Sequence, residues 1–315
     1  MPRDAAPYHA DLAEGPETAR AQWLRADDGV KIRAGIWPGG PEGTVFILPG
    51  RCEYIEKYAQ LAGDVLARGM TALSVDWRGQ GLSQRLLKNP DIGHVRHFQD
   101  YQADVRALIS WAEAERLPRP WFMLAHSMGG AIGLRALTRT PVFAAAAFSA
   151  PMWGIFITPR LKHLSYTLPV IAKTVGLGGT RAPTTNTADY FLHAPFEGNF
   201  LTSDRTQWDR MQRQARAVDR FRLGGPSLIW LGEALAETRA LQRIALPDIP
   251  AHVSLGTEEK IVEAPAVTRL AERWESASFT LVEGAEHEIL MERPGIRSAF
   301  LDRCFATFAK ARVLA

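Results

Sequence analysis

Residues 121–130 read Trp-Phe-Met-Leu-Ala-His-Ser-Met-Gly-Gly, and this stretch decides the fold. The apolar residues 121–124 predict a buried strand, and the small and apolar residues 129–138 predict a helix. Between them, the small residues Ala125 and Gly129 flank Ser127. A sharp strand-to-helix turn needs small residues on both sides, because the backbone doubles back there. The stretch therefore predicts a tight turn that presents the Ser127 hydroxyl beyond the end of a strand.

Strand and helix patterns alternate on both sides of this turn. Apolar and β-branched runs predict strands at residues 44–48, 70–75, 121–124, 144–148, 252–255 and 279–282. Helical spacing of apolar residues predicts helices at residues 58–68, 98–115, 129–138, 264–274 and 294–309. The alternation favours the α/β fold class, with a mostly parallel central sheet and helices on both faces. Residues 22–25 and 30–37 flank Asp27-Asp28-Gly29 and predict an antiparallel hairpin at the sheet edge.

The alternation stops between residues 153 and 246, where we expect helices and loops. We therefore predict a first core segment at residues 20–152, a helical cap insertion at 153–246 and a second core segment at 247–315. Ligands of open α/β sheets bind outside the carboxyl ends of the strands. The cap is expected to lie above those ends, and so above Ser127.

The composition is that of an ordinary globular protein, with 46% hydrophobic and 23% charged residues. A formal net charge of +3 is too small to indicate a nucleic-acid partner. Cys52 and Cys304 lack metal-ligand spacing, so we expect two reduced thiols and no metal. Gly79-Gln80-Gly81 lacks the third glycine of a dinucleotide site, and no cofactor is expected. These features leave the oligomeric state open.

The turn at Ser127 matches the G-x-S-x-G nucleophile elbow, with alanine in place of the first glycine. A serine hydroxyl needs a positioned base, since it is a weak nucleophile alone. We predict His287 as that base, because it follows the last predicted strand and α/β folds carry catalytic groups on such loops. His252 lies inside a predicted strand, where a structural role is expected. His126 must point away from the hydroxyl and is a candidate for lining the site.

The acid that orients the base should follow the penultimate strand. Residues 256–262 read GTEEKIV and contain two glutamates and no aspartate. The usual spacing places the acid three residues after a glycine and before one basic and two apolar residues, which fits Glu259. Glu258 stays open as an alternative acid or as a residue that lines the site.

Two backbone N–H groups are candidates for binding the oxyanion of an acyl-transfer reaction. Met128 follows the nucleophile at the start of a helix, and Arg51 follows Gly50 in the loop after an earlier strand. The Arg51 side chain is expected to have a role distinct from that of its backbone N–H. It forms either a structural ion pair or a contact with an anionic substrate group such as a phosphate.

Together these segments resemble the lysophospholipase and monoacylglycerol-lipase branch of the α/β-hydrolases, most closely the bacterial lysophospholipases associated with the inner membrane. The resemblance covers roughly residues 20–310 and is carried by PGRCEYIEKYAQLA (49–62), VDWRGQGLSQRLL (75–87), GHVRHFQDY (93–101), LAHSMGGAI (124–132), GGPSLIWL (224–231) and GTEEKIV (256–262). It implies an α/β-hydrolase fold and hydrolysis of one acyl ester of a glycerol-type lipid through a Ser-His-Glu triad. The open alternatives are a broad small-molecule carboxylesterase, an acyltransferase and a non-catalytic binding protein on the same scaffold.

The expected location is cytoplasmic, because the N-terminal residues lack the basic-then-apolar pattern of a secretory signal. Peripheral contact with the inner membrane through the cap is an open alternative. Four arginines form a stripe in the predicted helix from residue 208 to 222: Arg210, Arg213, Arg216 and Arg220. This stripe is either a solvated basic face or a contact for anionic lipid head groups.

Overall fold

The computed structural model describes residues 4–314 of the chain. The strands are β1 (Ala5–Ala6), β2 (Arg20–Arg25), β3 (Lys31–Trp37), β4 (Thr44–Leu48), β5 (Thr71–Asp76), β6 (Trp121–His126), β7 (Phe143–Ser149), β8 (Ala251–Gly256) and β9 (Ala277–Val282). The α-helices are α1 (Ala10–Ala13), α2 (Ala59–Leu66), α3 (Tyr101–Ala114), α4 (Met128–Leu137), α5 (Pro159–Thr174), α6 (Tyr190–His193), α7 (Arg205–Ala217), α8 (Leu228–Leu241), α9 (Ala264–Arg273) and α10 (Pro294–Leu314). Short 3-10 helices cover Ile55–Tyr58, Phe98–Asp100, Asp219–Phe221 and Ile289–Met291. The sequence patterns predicted neither β1 nor α1.

Within residues 4–314 the strands form one nine-stranded sheet in the order β1-β2-β3-β5-β4-β6-β7-β8-β9. The pairs from β5 through β9 are parallel, whereas β1, β2 and β3 pair in antiparallel fashion at one side. The predicted α/β class with a mostly parallel sheet is confirmed, and the β2–β3 hairpin lies next to the edge strand β1. Leu48 pairs with Ala125, so the loops after β4 and β6 leave the sheet side by side. Those two loops carry Arg51 and Ser127.

Both faces of the sheet are covered, which explains the continuous apolar runs in its central strands. Successive side chains of β4 point to opposite faces. Phe46 and Leu48 pack into the core on one face, and Val45 and Ile47 pack into the core on the other. All four are at most 1% exposed, so β4 is held rigidly and fixes the start of the loop that follows it.

The helices α5 to α8 all lie between β7 and β8, and the described residues 150–250 contain no strand. Pro169 of α5 packs so closely on α8 that a Cβ at Gly232 would lie 2.8 Å from its ring. Ala172 of α5 and Leu228 of α8 are buried in the same small core. This arrangement is consistent with a helical cap, and the division into core and cap segments stays a prediction.

The predicted arginine stripe does not form one solvated face, and that interpretation was wrong. Arg210 is 1% exposed, and its Nη2 donates to the carbonyls of Ala13, Glu56 and Lys57. The helix ends at Ala217, before Arg220. A step of three residues rotates the position by about 60° around a helix of 3.6 residues per turn. The arginines therefore spiral around α7, and the first of them reaches the core.

A buried arginine with two carboxylates ties β3 to its neighbours. Arg33 donates through Nε to Asp76 at 2.8 Å and through Nη2 to Glu56 at 2.6 Å, and all three side chains are fully buried. We expect Arg33→Met to lower the free energy of unfolding by about 3–5 kcal/mol, because it leaves two buried carboxylates without a counter-charge. Urea unfolding followed by tryptophan fluorescence measures this loss.

Arg20→Met is the matched control, since it removes the exposed ion pair between Arg20 and Glu115. We expect it to change the free energy of unfolding by less than about 1 kcal/mol, because water screens an exposed pair. Equal losses of unfolding free energy in the two variants would contradict the expectation that the buried ion pair contributes more to stability than the exposed one.

Candidate active site

Ser127 occupies a strained turn between β6 and α4. Its backbone has φ of 50° and ψ of −117°, a conformation that side-chain-bearing residues rarely adopt. The turn fits because its neighbours are small: a Cβ at Gly129 would lie 2.2 Å from the carbonyl oxygen of Leu48. Ala125 is buried within β6, where its methyl group is accommodated. The elbow therefore needs glycine after the serine more strictly than before it.

Three predicted residues meet at this turn. His287 Nε2 lies 2.9 Å from Ser127 Oγ, and His287 Nδ1 lies 2.7 Å from Glu259 Oε2. Ser127 is 8% exposed and His287 is 4% exposed. The protein therefore shields both side chains from most of the solvent, and Ser127 keeps slightly more exposed surface than His287. A serine hydroxyl that donates to Nε2 while Nδ1–H donates to a carboxylate is the arrangement that activates a serine for acyl transfer.

Glu259 is held as a carboxylate by its surroundings. Burial acts to raise its pKa, but the hydrogen bond from His287 and two backbone N–H groups outweigh burial and hold the pKa below its ordinary value. The N–H groups of Ile261 and Val262 donate to Glu259 Oε1 at 2.6 and 2.9 Å. One oxygen is thus anchored to the loop, which leaves the other directed at the imidazole.

Glu258 lies outside the site, and its prediction as a residue that lines the site was wrong. Its side chain is 52% exposed, and its Oε2 lies 3.9 Å from Nζ of Lys260. Because adjacent residues in this loop point in different directions, only Glu259 faces His287. The sequence spacing had favoured Glu259 but could not exclude its neighbour.

His126 lies beside His287 with ring centroids 4.8 Å apart, and both side chains line the same cavity next to Ser127. Burial lowers the pKa of His126 to about 4, so the ring is neutral near neutral pH. Its Nδ1 lies 3.0 Å from the carbonyl oxygen of Ser149 and donates to it. His126 is therefore held away from the Ser127 hydroxyl.

The backbone N–H groups of Arg51 and Met128 lie on the two loops that β4 and β6 bring together. Among the described residues, neither N–H has a hydrogen-bond acceptor. The Arg51 loop is held by Glu53, whose carboxylate accepts from the N–H of Gly50. Gln80 Nε2 donates to the carbonyl of Gly50 at 2.9 Å. Free N–H groups on a fixed loop beside the nucleophile are suited to binding a developing oxyanion.

Sequence reasoning missed a buried charged cluster behind this loop. Lys57 Nζ donates to Glu53 at 2.6 Å and to Glu288 at 2.5 Å, and the Tyr58 hydroxyl donates to Glu53 at 2.5 Å. Burial acts to raise the pKa of Glu53, but Lys57 lowers it to about 2, so the group is ionised. The available signal was the spacing of four residues between Glu53 and Lys57, together with Glu288 beside the predicted base.

Glu53, His126 and Glu288 also bring three ligand atoms within 4.8 Å of one another, which is the spacing of a metal site. Lys57 Nζ donates to both carboxylates of this group. The two acidic ligands therefore already share an internal cation, and the cluster is suited to supporting the oxyanion loop rather than to binding a metal.

An apolar cavity of about 500 Å³ opens directly on Ser127 and His287. Its wall is mainly aliphatic and aromatic. Apart from Met152, these residues come from the predicted cap segment: Ile155, Phe156, Leu161, Leu164, Leu168, Leu228, Trp230 and Leu231. A wall of this kind accepts a hydrocarbon chain. Ser127 and His287 stand at the polar end of the cavity.

The family model described as serine aminopeptidase, S33, matches residues 39–294. The chain belongs to this family. It is 35% identical over 278 residues to lysophospholipase L2 of Escherichia coli, a match that covers 82% of this chain and 78% of that protein. It is 30% identical to probable lysophospholipase L2 of Haemophilus influenzae over 91% of both chains. The predicted membership of the lysophospholipase and monoacylglycerol-lipase branch of the α/β-hydrolases is confirmed.

The fold is shared with solved structures of low sequence identity. A soluble variant of monoglyceride lipase from Saccharomyces cerevisiae superposes with a TM-score of 0.71 at 19% identity, covering 96% of this chain and 97% of that one. Monoacylglycerol lipase from Paleococcus ferrophilus superposes with a TM-score of 0.68 at 18% identity, covering 88% and 98%. At these identities the likeness establishes the α/β-hydrolase fold alone.

Proposed function

We propose that this serine hydrolase cleaves the acyl ester of a lysophospholipid or a monoacylglycerol, with Ser127, His287 and Glu259 as its catalytic triad. The observation that carries the proposal is the hydrogen-bonded chain of these three side chains at the polar end of an apolar cavity. The names of the relatives, lysophospholipase and monoglyceride lipase, support the same substrate class.

In the first step His287 Nε2 takes the proton of Ser127 as Oγ attacks the ester carbonyl carbon. The carbonyl oxygen becomes an oxyanion, which the N–H groups of Arg51 and Met128 stabilise by about 3 kcal/mol each. The tetrahedral intermediate collapses, the alcohol leaves with the proton from His287, and an acyl-enzyme remains. Water then repeats the sequence on the acyl-enzyme, and Glu259 orients the imidazole in both steps.

A hydrolysis panel tests the substrate class. Lysophosphatidyl lipids, monoacylglycerols and p-nitrophenyl esters of several chain lengths are compared by kcat/KM. We expect kcat/KM to rise with chain length, because each buried methylene contributes about 0.8 kcal/mol in an apolar cavity. A steady fall from short to long chains would instead favour a small-molecule esterase. Acyl glycerols formed in the presence of added glycerol would indicate an acyltransferase.

We also propose that the protein contacts membranes through α5 and the residues that follow it, rather than through α7. Five large apolar side chains there are exposed by 38–63%: Leu161, Leu164, Val170, Ile171 and Val175. Leu161 and Leu164 also line the cavity, so the apolar surface continues into the substrate cavity. α5 carries Arg160, Lys162 and Lys173 and no acidic residue, which suits an anionic lipid surface. No helix in the described part of the chain is long and apolar enough to cross a bilayer.

The membrane proposal predicts that Val170→Asp with Val175→Asp lowers the vesicle-bound fraction about tenfold or more, because two charges replace apolar contact area. Flotation with anionic and with zwitterionic vesicles measures it. The control is Arg213→Gln with Arg216→Gln on α7, which we expect to leave binding within about twofold. Negligible binding of the unaltered protein to both vesicle types, or a loss only in the α7 variant, would refute the proposal.

A further inference from the structure

Beside the apolar cavity that opens on Ser127, which we call the acyl cavity, lies a second cavity of about 610 Å³. The proposed mechanism does not use this second cavity. The residues that line both cavities form the partition between them: Arg51, Glu53, Thr184, Thr185, Leu201, Pro226, Ile261 and Glu288. The wall of the second cavity also contains apolar residues such as Phe191 and Trp208, but it is the more polar of the two, with Asn186, Thr187 and Asn199 among the residues that line it alone. A more polar chamber beside a more apolar one, with Ser127 lining the apolar one, matches a substrate with a polar head and one acyl chain.

We propose that the second cavity receives the head group of a lysophospholipid and that the Arg51 guanidinium binds its phosphate. This inference rests on the proposed function and deepens it, because it makes the phosphate-bearing lipid the preferred substrate over the monoacylglycerol. The ligand chemistry is a phosphate diester carried on glycerol.

Arg51 is a cation without an acidic partner in the described part of the chain. Two of its five N–H groups are engaged: Nη2 donates to the carbonyl of Gly224, and Nη1 lies 3.1 Å from Sγ of Cys52. Its guanidinium lies 5.3 Å from the ring centroid of Trp230. Its Nε is buried and has no hydrogen-bond partner among the described residues. The predicted alternative of a structural ion pair is therefore wrong.

Other arginines of the fold show how a buried guanidinium is normally satisfied. Arg33 pairs with Glu56 and Asp76, and Arg78 pairs with Asp104 at 2.8 Å. A buried donor without a partner is costly, and a buried charge is normally paired. Arg85 also has no carboxylate partner among the described residues, but it lines neither cavity. Of these two arginines, only Arg51 can reach a ligand.

The remaining charges of the partition explain why Arg51 should matter most for an anionic substrate. Lys57 is already shared by Glu53 and Glu288, so it is not free to bind a phosphate. Arg51, which lacks a carboxylate partner in the described part of the chain, is the cation of the partition that is left for this role. A monoacylglycerol presents only uncharged hydroxyl groups to the same chamber and therefore does not need a cation there. The planar guanidinium fork also matches the oxygens of a phosphate better than those of a hydroxyl.

The position of Arg51 links the phosphate to the reacting carbonyl. Its backbone N–H belongs to the proposed oxyanion hole, and its side chain extends from there along the partition. In a lysophospholipid the ester carbonyl and the phosphate are joined through the glycerol unit. One residue would therefore hold the substrate at both ends of that unit, which positions the scissile ester over Ser127.

The test measures selectivity, because Arg51 also contributes a backbone group to the reaction. A lysophosphatidylcholine and a monoacylglycerol with the same medium-length acyl chain are used below their critical micelle concentrations. The readout is the ratio of kcat/KM for the phospholipid to kcat/KM for the monoacylglycerol. In Arg51→Met we expect this ratio to fall about tenfold or more, as for loss of a hydrogen bond between charged groups. In Arg51→Lys we expect a smaller fall, because the charge remains and the fork is lost.

Arg216→Met is the matched control, since it removes one positive charge from the exposed side of α7 and lines neither cavity. We expect its ratio to stay within about twofold. An unchanged ratio in both Arg51 variants would overturn the inference, and so would an equal fall in Arg216→Met. The melting temperature and the far-UV circular dichroism spectrum of the same samples report whether each variant is folded, and Arg51→Lys gives the decisive ratio if Arg51→Met does not accumulate.

Inhibition of p-nitrophenyl ester hydrolysis separates a head-group site from a site for free phosphate. We expect glycerophosphocholine to inhibit the unaltered enzyme more strongly than inorganic phosphate and to lose this effect in Arg51→Met. Equal inhibition by both compounds would overturn the head-group assignment. If the unaltered enzyme hydrolyses p-nitrophenyl esters but neither lipid, the proposed function fails. If it hydrolyses both lipids with a ratio insensitive to Arg51, only the present inference fails.

Discussion

Replacement of Ser127 with alanine is expected to lower kcat/KM for ester hydrolysis by about five orders of magnitude. The loss is this large because the hydroxyl forms the acyl-enzyme in the proposed mechanism, and no other hydroxyl or thiol in the described part of the chain is hydrogen-bonded to the His287 ring. A residual rate above that of water should persist, since the N–H groups of Arg51 and Met128 still bind the oxyanion. Initial rates on a long-chain monoacylglycerol, together with labelling by a fluorophosphonate probe, measure the effect.

The control for this variant is Ser298→Ala, which removes a hydroxyl from the exposed surface of α10. We expect full turnover and full probe labelling from it. The melting temperature of Ser127→Ala should stay close to that of the unaltered protein, because alanine fits the small space of the turn. Retained turnover in folded Ser127→Ala would rule out the mechanism, and probe labelling of that variant would point to a different nucleophile.

Replacement of Glu259 with glutamine is expected to lower kcat by about four orders of magnitude. Glutamine keeps nearly the same shape, but its amide can favour the wrong imidazole tautomer and cannot stabilise the imidazolium that forms during the reaction. Steady-state kinetics at saturating substrate measures the change. The fall should appear in kcat with little change in KM, because Glu259 acts through His287 and does not line the acyl cavity.

The adjacent residue supplies the matched control. Glu258→Gln makes the same chemical change one position earlier on an exposed side chain, and we expect kcat to stay within about twofold. A large fall in Glu258→Gln with little effect in Glu259→Gln would reverse the assignment of the acid. Small effects in both variants would mean that the imidazole is oriented by another group.

Much of the fold and part of the site could be predicted from the sequence because the signals involved are local. The run at residues 44–48 is apolar throughout, and β4 is buried on both faces as such a run requires. The turn at Ser127 depends on small neighbours within two residues. His287 follows the last strand directly. Each of these features depends on residues close together in the chain, so a single sequence carries the information.

Other features depend on contacts between distant segments. Arg210 was expected on a solvated face, yet it donates to carbonyls of residues about 150 to 200 positions earlier. The Lys57–Glu288 contact joins residues 231 positions apart. Whether a charged side chain is solvated, paired or buried depends on which segments pack against it, and helical or strand periodicity does not contain that information.

For this protein the sequence by itself determined the α/β class, and it predicted the turn that presents Ser127 and the proposed base His287. Tertiary structure excluded Glu258 by placing Glu259 against the imidazole, and it enclosed Lys57 between Glu53 and Glu288. It also put Arg51 at the border of two cavities with no carboxylate partner among the described residues. The physical reason is one of range. Backbone periodicity and turn geometry act over a few residues, whereas burial and charge pairing are set by packing between segments far apart in the chain.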